Sequence, residues 1–291
     1  MPHIFSYISY VFFRLLSFLP LRVLYIFSDI VFFIIYRIIG YRKEVVNENL
    51  QNSFPEKSSE EIRKIRKEFY HHFCDLFIET IKLWNISEKE ILKRCVLKNP
   101  DFLEPYKAQG KSIIAVTGHY ANWEWLSSLA LHNVGDFLPI YKPLHNKVID
   151  KMYIKIREKL GAKTLAKNDT LRTMIRYRNQ GKFTITAFIG DQTPNRKSLH
   201  YWTNFLNQDT PILQGAERIA KKLDQAVIYC KMTKLKRGYY EYEFIPISDN
   251  PKETEENEIT ERHTRLLENI INENPSYWLW SHRRWKHKKN S

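Results

Sequence analysis

Hydrophobic and polar positions follow three successive patterns along the chain. Residues 4–40 are dominated by Ile, Leu, Phe, Val and Tyr; Arg14, Arg22, Asp29 and Arg37 are the only charges, and Pro20 divides the stretch. No eighteen consecutive residues there are uncharged, so a clean spanning helix is not assured. A basic leader and a small-residue cleavage site are also missing, which argues against a secretory signal. The segment reads as a membrane anchor, either a tilted span or a helix pair lying in the interface with its Arg side chains snorkelling. The competing reading is a pair of apolar core helices.

Residues 41–97 follow a helical rhythm. Ile62, Ile65, Phe69, Phe73, Phe77 and Ile81 form one apolar stripe, and Ser58 or Ser59 caps its start ahead of Glu60 and Glu61. His71, His72 and Cys74 lie in the same stretch at spacings that form no ligand set, and read as helix residues without a chemical role.

Beyond residue 97 strand-like and helix-like runs alternate. Strands are predicted at 112–117, 136–141, 183–189, 226–234 and 239–246, the last two flanking an Arg237–Gly238 hairpin turn. Helices are predicted at 123–131, from 143 to about 160 with Gly161 as C-cap, at 170–179, at 215–223, and from 253 to about 272. The fold expected is α/β: an apolar N-terminal helical anchor (1–40), then a mixed-sheet domain flanked by helices (41–291), with 41–97 as a helical lead-in.

Composition narrows the function. At 43% hydrophobic residues the chain can bury a full core. Lys and Arg outnumber Asp and Glu by 46 to 32, a net charge of +14, which points to an anionic partner: nucleic acid, an anionic leaflet, or an acidic substrate or carrier. Cys74, Cys95 and Cys230 contain no close pair, so neither a disulfide framework nor a zinc site is expected. The nine glycines give no dinucleotide or P-loop fingerprint.

The chemistry concentrates in KSIIAVTGHYANWEWL, residues 111–126. Gly118 breaks the strand, His119 sits just past its end, Asn122 is an N-cap candidate, and Glu124 falls in the first turn of the next helix. With His119 on the loop, Glu124 can fold back onto one ring nitrogen and fix the tautomer, leaving the other nitrogen as a general base. Asp191 and Gln192 follow another buried strand, where α/β sheets bind ligands, although an Asp there also serves as a turn cap before Pro194. Arg157, near a helix end, reads as a charge complementing the macrodipole. The C-terminal Trp–Arg cluster suits a membrane interface or a phosphate-rich ligand.

Several blocks together resemble the bacterial lipid A secondary acyltransferases, the lauroyl and myristoyl transferases of the wider lysophospholipid acyltransferase-like group. They are residues 42–50 with Phe54-Pro55-Glu56; the H-x4-E box at 117–124; Tyr141-Lys142-Pro143 with Asn146, Asp150 and Arg157; Gly190-Asp191-Gln192; and residues 280–286. The family usually carries Arg where this chain has Lys142, which exchanges a bidentate fork for a point charge.

The resemblance implies an O-acyltransferase of the inner membrane with its catalytic domain facing the cytoplasm. The donor would be the thioester of an acidic acyl carrier protein, the acceptor a phosphorylated glycolipid precursor of lipid A. His119 would be the base and Glu124 its orienter. Arg157, Asp191, Gln192, Lys142 and Asn122 would serve the oxyanion or the substrates, and Arg283, Arg284 and Lys286 the acceptor phosphate. Hydroxyl attack on a thioester needs no metal or bound cofactor, and without a G-x-S-x-G elbow no acyl-enzyme is expected. Two alternatives stay open at this stage: a lysophospholipid or aminolipid acceptor, and a basic nucleic-acid-binding protein.

Overall fold

Pro20 separates α1 (Pro2–Leu16) from α2 (Leu21–Phe32), which continues as a π-helical stretch, Phe33–Ile39, and stops at Gly40 with φ 65°. The computed structural model describes residues 2–289, with side chains from residue 7; Met1 of the apolar segment and residues 290–291 of the domain lie outside the described residues. Both helices use one face for packing: Leu21, Leu24, Ser28 and Phe32 of α2 are buried, while Val23, Ile26, Phe27 and Ile30 face outward. Among the described residues no single helix is long and apolar enough to cross a membrane. By length and composition Leu21–Ile39 qualifies only jointly with Lys43–Ser53, across an 89° bend.

The lead-in is helical as expected: α3 (Lys43–Ser53), α4 (Ser59–Leu83) and α5 (Glu88–Arg94). Ser58 caps α4 in a reciprocal box, accepting from the Glu61 N–H while the Glu61 carboxylate accepts from the Ser58 N–H. Then come β1 (Cys95–Leu97), α6 (Glu104–Ala108), β2 (Ile113–Thr117), β3 (Asp136–Tyr141), α7 (Lys147–Glu158), β4 (Leu165–Ala166), α8 (Thr170–Asn179) and β5 (Thr184–Ile189). A hairpin, β6 (Tyr201–Phe205) and β7 (Gln208–Ile212), precedes α9 (Gly215–Leu223), β8 (Ala226–Lys236), β9 (Tyr239–Ser248) and α10 (Glu258–Glu273).

Seven strands form one sheet in the order β1-β9-β8-β2-β5-β3-β4. All neighbouring pairs are parallel except β8 with β9, so the sheet is mixed. All five residues of β2 are buried, as its β-branched and apolar run predicts. Its register with β5 pairs Thr117 with Ile189, so the chain leaves both strands at the same level and brings residues 118–119 beside 190–191.

The segment after residue 122 departs from expectation: Trp123–His132 is a 3₁₀-helix, unusually long for its kind. Its residues 125–129 are all buried, so its packing is not that of an α-helix with one apolar stripe. The helix expected from residue 143 begins at Lys147 instead, where the Asn146 side chain accepts from the Val148 and Ile149 N–H groups. The last begins at Glu258 rather than at 253.

Candidate active site

Gly118 lets the segments leaving β2 and β5 meet α10 closely at the carboxyl end of the sheet. A Cβ there would lie 2.7 Å from Leu267 Cδ1 of α10 and 3.2 Å from the Asp191 carboxylate. The approach allows Asp191 to accept from the His119 backbone N–H at 2.7 Å through Oδ2, while Oδ1 lies 2.6 Å from His119 Nδ1. The Trp278 indole N–H donates to the same Oδ2 at 2.8 Å. Burial alone would push the Asp191 carboxyl up, but His119 and these donors hold it down to about 2. A carboxylate only accepts, so Nδ1 carries the proton and Nε2 presents its lone pair. The Gln192 amide nitrogen sits 3.2 Å from Nε2. The Trp123 ring stands edge-on to the imidazole at 5.0 Å, and the His119 side chain retains 17% exposure.

The partner of the ring is therefore Asp191, not Glu124 as the spacing suggested. The Glu124 carboxylate accepts twice from Arg157, from Nε at 2.8 Å and Nη2 at 2.7 Å. Burial opposes its ionisation, yet Arg157 and, less strongly, His119 keep its carboxyl below the usual value. Arg157, also buried for the most part, is in turn held more firmly protonated by Glu124. The physical reason for the correction is register. Asp191 arrives level with His119 from the adjacent strand, while Glu124 meets a guanidinium on α7.

Asn122 and Arg284 are likewise buried, Asn122 with its side chain engaged at both ends and Arg284 with Nε and Nη1 left without a hydrogen-bond partner. Asn122 is fully buried; its side-chain oxygen accepts from the Trp125 N–H at 3.1 Å and its amide donates to Glu79 at 2.6 Å. Arg284 is 1% exposed, donates Nη2 to the Pro211 carbonyl at 2.7 Å and, with Asp191 and His263, lines a cavity of about 10 Å³. Arg283, Lys286 and Lys142 are exposed. Among the described residues no group of three or more His, Cys, Asp or Glu is arranged to hold a metal ion.

The resembling blocks meet around this site. The Leu279 N–H donates to the His119 carbonyl and the Ala121 N–H to the Tyr277 carbonyl, so the C-terminal segment runs beside the His119 turn. Arg42 and Asn49 hold that segment from outside, donating to the carbonyls of Ser281, Trp280 and His282. His282 accepts from the Thr193 N–H at 3.0 Å through Nε2; burial pushes it down to about 4 and keeps it neutral for the task. His72, read from sequence as inert, lies 3.0 Å from the Ala121 carbonyl; its only signal was a polar residue within a buried helix face.

A family model for bacterial lipid A biosynthesis acyltransferases matches residues 1–287. A lipid A biosynthesis palmitoleoyltransferase of Escherichia coli is 22% identical over 246 residues, covering 84% of this chain and 79% of its own. A lipid A biosynthesis lauroyltransferase of the same organism is 21% identical over 251 residues, 86% of this chain and 81% of its own. A lipid A biosynthesis acyltransferase of Haemophilus influenzae is 21% identical over 239 residues, 80% of this chain and 72% of its own. With a family match that spans residues 1–287, the chain belongs to the bacterial lipid A biosynthesis acyltransferases.

Proposed function

We propose that this acyltransferase moves a fatty acyl chain from an acyl carrier protein thioester to a hydroxyl of a lipid A precursor, with His119 as general base. One observation carries the reading. Nδ1 is committed to Asp191, so the partly exposed ring offers the Nε2 lone pair outward. The acceptor hydroxyl displaces Gln192 from Nε2 and gives that nitrogen its proton as its oxygen attacks the thioester carbonyl. The tetrahedral intermediate collapses with cleavage of the C–S bond, and the imidazolium returns the proton to the leaving thiolate. Asp191 stabilises the imidazolium between these two transfers.

Arg157 is the candidate for the oxyanion or an acceptor phosphate, because Glu124 occupies only its Nε and Nη2. A donor aimed at such a centre typically contributes on the order of 3 kcal/mol. The exposed Arg283, Lys286 and Lys142 suit phosphates of the acceptor, an acidic carrier or the anionic leaflet. Membrane attachment falls to α1 and α2, lying in the cytoplasmic leaflet of the inner membrane with their outward apolar faces in the lipid.

The test is a reaction of the purified full-length chain with a panel of acyl carrier protein thioesters and lipid acceptors. Transfer to a lipid A precursor is expected, and His119→Ala lowers it by on the order of 100-fold or more. Wild-type turnover in folded His119→Ala removes the base from the mechanism. Transfer only to a lysophospholipid or an aminolipid precursor replaces the acceptor.

A further inference from the structure

Helix α4 buries a polar stripe. His72, Asp75 and Glu79 recur at helical spacing on one face, with relative exposures of 3%, 3% and 0%. Apolar residues would fill that interface with no need for partners, so three polar groups in a row call for a use.

Asp75 accounts for itself by binding Arg237 of the β8–β9 turn and accepting from Ser28 of α2. The other two converge on the turn that joins His119 to Glu124. His72 Nδ1 lies 3.1 Å from the Lys234 ammonium, which only donates, so its proton sits on Nε2 and is directed at the Ala121 carbonyl 3.0 Å away. Burial, reinforced by Lys234, pushes His72 far down and keeps it in this neutral form. Glu79 accepts from the Tyr25 hydroxyl on one oxygen and from Tyr240 and the Asn122 amide on the other, at 2.6 to 2.7 Å; its backbone carbonyl accepts from the Trp125 indole at 2.9 Å. Between these grips Ala121 holds φ 51°, a left-handed conformation that an alanine adopts only when its surroundings impose it.

We propose that His72 and Glu79 are positioning residues of the acyl-transfer reaction, holding the Tyr120–Asn122 turn so that His119 stays against Asp191 and Glu124 against Arg157. Neither touches a substrate; both act through the backbone and side chain of the turn. The inference rests on the reading of His119 as base, and the experiment separates the two.

Steady-state transfer is measured with the full-length chain, an acyl carrier protein thioester and the lipid A precursor, normalised to folded protein by circular dichroism. His72→Leu removes the donor to Ala121, and kcat is expected to fall about 10-fold while KM for both substrates stays within about twofold, because misplacement of reacting groups lowers the chemical step. His72→Gln, whose amide nitrogen reaches the same carbonyl, restores most of kcat. A merely structural role leaves kcat per folded molecule unchanged and makes Gln no better than Leu; either result overturns the proposal. If His72→Leu does not fold, Glu79→Gln replaces it. That substitution keeps the volume but turns one acceptor into a donor facing donors, and wild-type kcat in the folded variant is equally fatal. His119→Ala is run alongside. Full activity there removes the base, whereas an inactive His119→Ala beside an unimpaired His72→Leu removes only the positioning role.

Discussion

Three donors converge on the buried Asp191 carboxylate, and its consequences are readable in stability and in rate. Its folded value, about 2, is depressed below the unfolded one near 3.8, so it contributes stability that is present above pH 4 and lost as pH falls toward 2. The difference corresponds to roughly 2 kcal/mol. Asp191→Asn is therefore expected to flatten the acid limb of a chemical-denaturation series between pH 5 and 2, and an unchanged limb would remove the coupling. The same variant places an amide against Nδ1 and favours the wrong tautomer, so kcat is expected to fall on the order of 100-fold or more. His119 was legible from sequence because a glycine and a histidine ended a β-branched run. Its partner was not: Glu124 lies five residues away and Asp191 seventy-two, and only strand register makes the distant one adjacent.

Register is a property of elements, and there the structure depends on Gly118. An alanine Cβ at that position meets the Leu267 side chain at 2.7 Å, so that side chain must swing aside within its packed site, or α10 or the ends of β2 and β5 must give. Gly118→Ala is expected to cost about 1–3 kcal/mol in urea denaturation and to lower activity through the His119–Asp191 contact. Gly118→Ala combined with Leu267→Ala relieves the clash and is expected to recover activity more fully than stability, because the second change opens a cavity. A fully active, fully stable Gly118→Ala would show the approach to be slack. Strands β2, β3, β5, β8 and β9 and helices α4, α8 and α9 were legible because each carries a long apolar run or stripe. β1 and β4, at three and two residues, were too short to produce a period, and β6–β7, YWTNF and QDTPI, mixes aromatic and polar residues without a sustained alternation and carries Pro211. The 3₁₀ geometry of Trp123–His132 has no sequence period that separates it from a short α-helix.

At the scale of the whole molecule, the N-terminal helices carry two apolar faces where a helix on a water-soluble surface carries one. On α1 and the turn after it, Ile8, Val11, Phe12, Leu15 and Phe18 follow helical spacing and are all more than half exposed, while Tyr10, Phe13 and Leu16 pack against the core. On α2, Val23, Ile26, Phe27 and Ile30 repeat the pattern, and Phe33, Ile38 and Ile39 extend it. Composition revealed the apolarity of this segment, but not that its inner face packs against α4 and α7. Each outward side chain, about half exposed, contributes roughly 1 kcal/mol on transfer to lipid, and these side chains far outnumber Arg14, Arg22 and Arg37, the basic residues of the same segment, each contributing about 1 kcal/mol near an anionic leaflet. The apolar term thus outweighs the electrostatic one, and about 1 M salt, which shortens screening to a few ångströms, should leave the protein on vesicles. Phe12→Glu, Leu15→Glu and Ile30→Glu together reverse the outer face without touching the packed one. The triple variant is expected to stay in the bottom fraction of a detergent-free flotation assay while keeping its fold by circular dichroism. Release of the native chain by salt alone, or flotation of the folded triple variant, would mean that these helices do not seat the enzyme on its membrane.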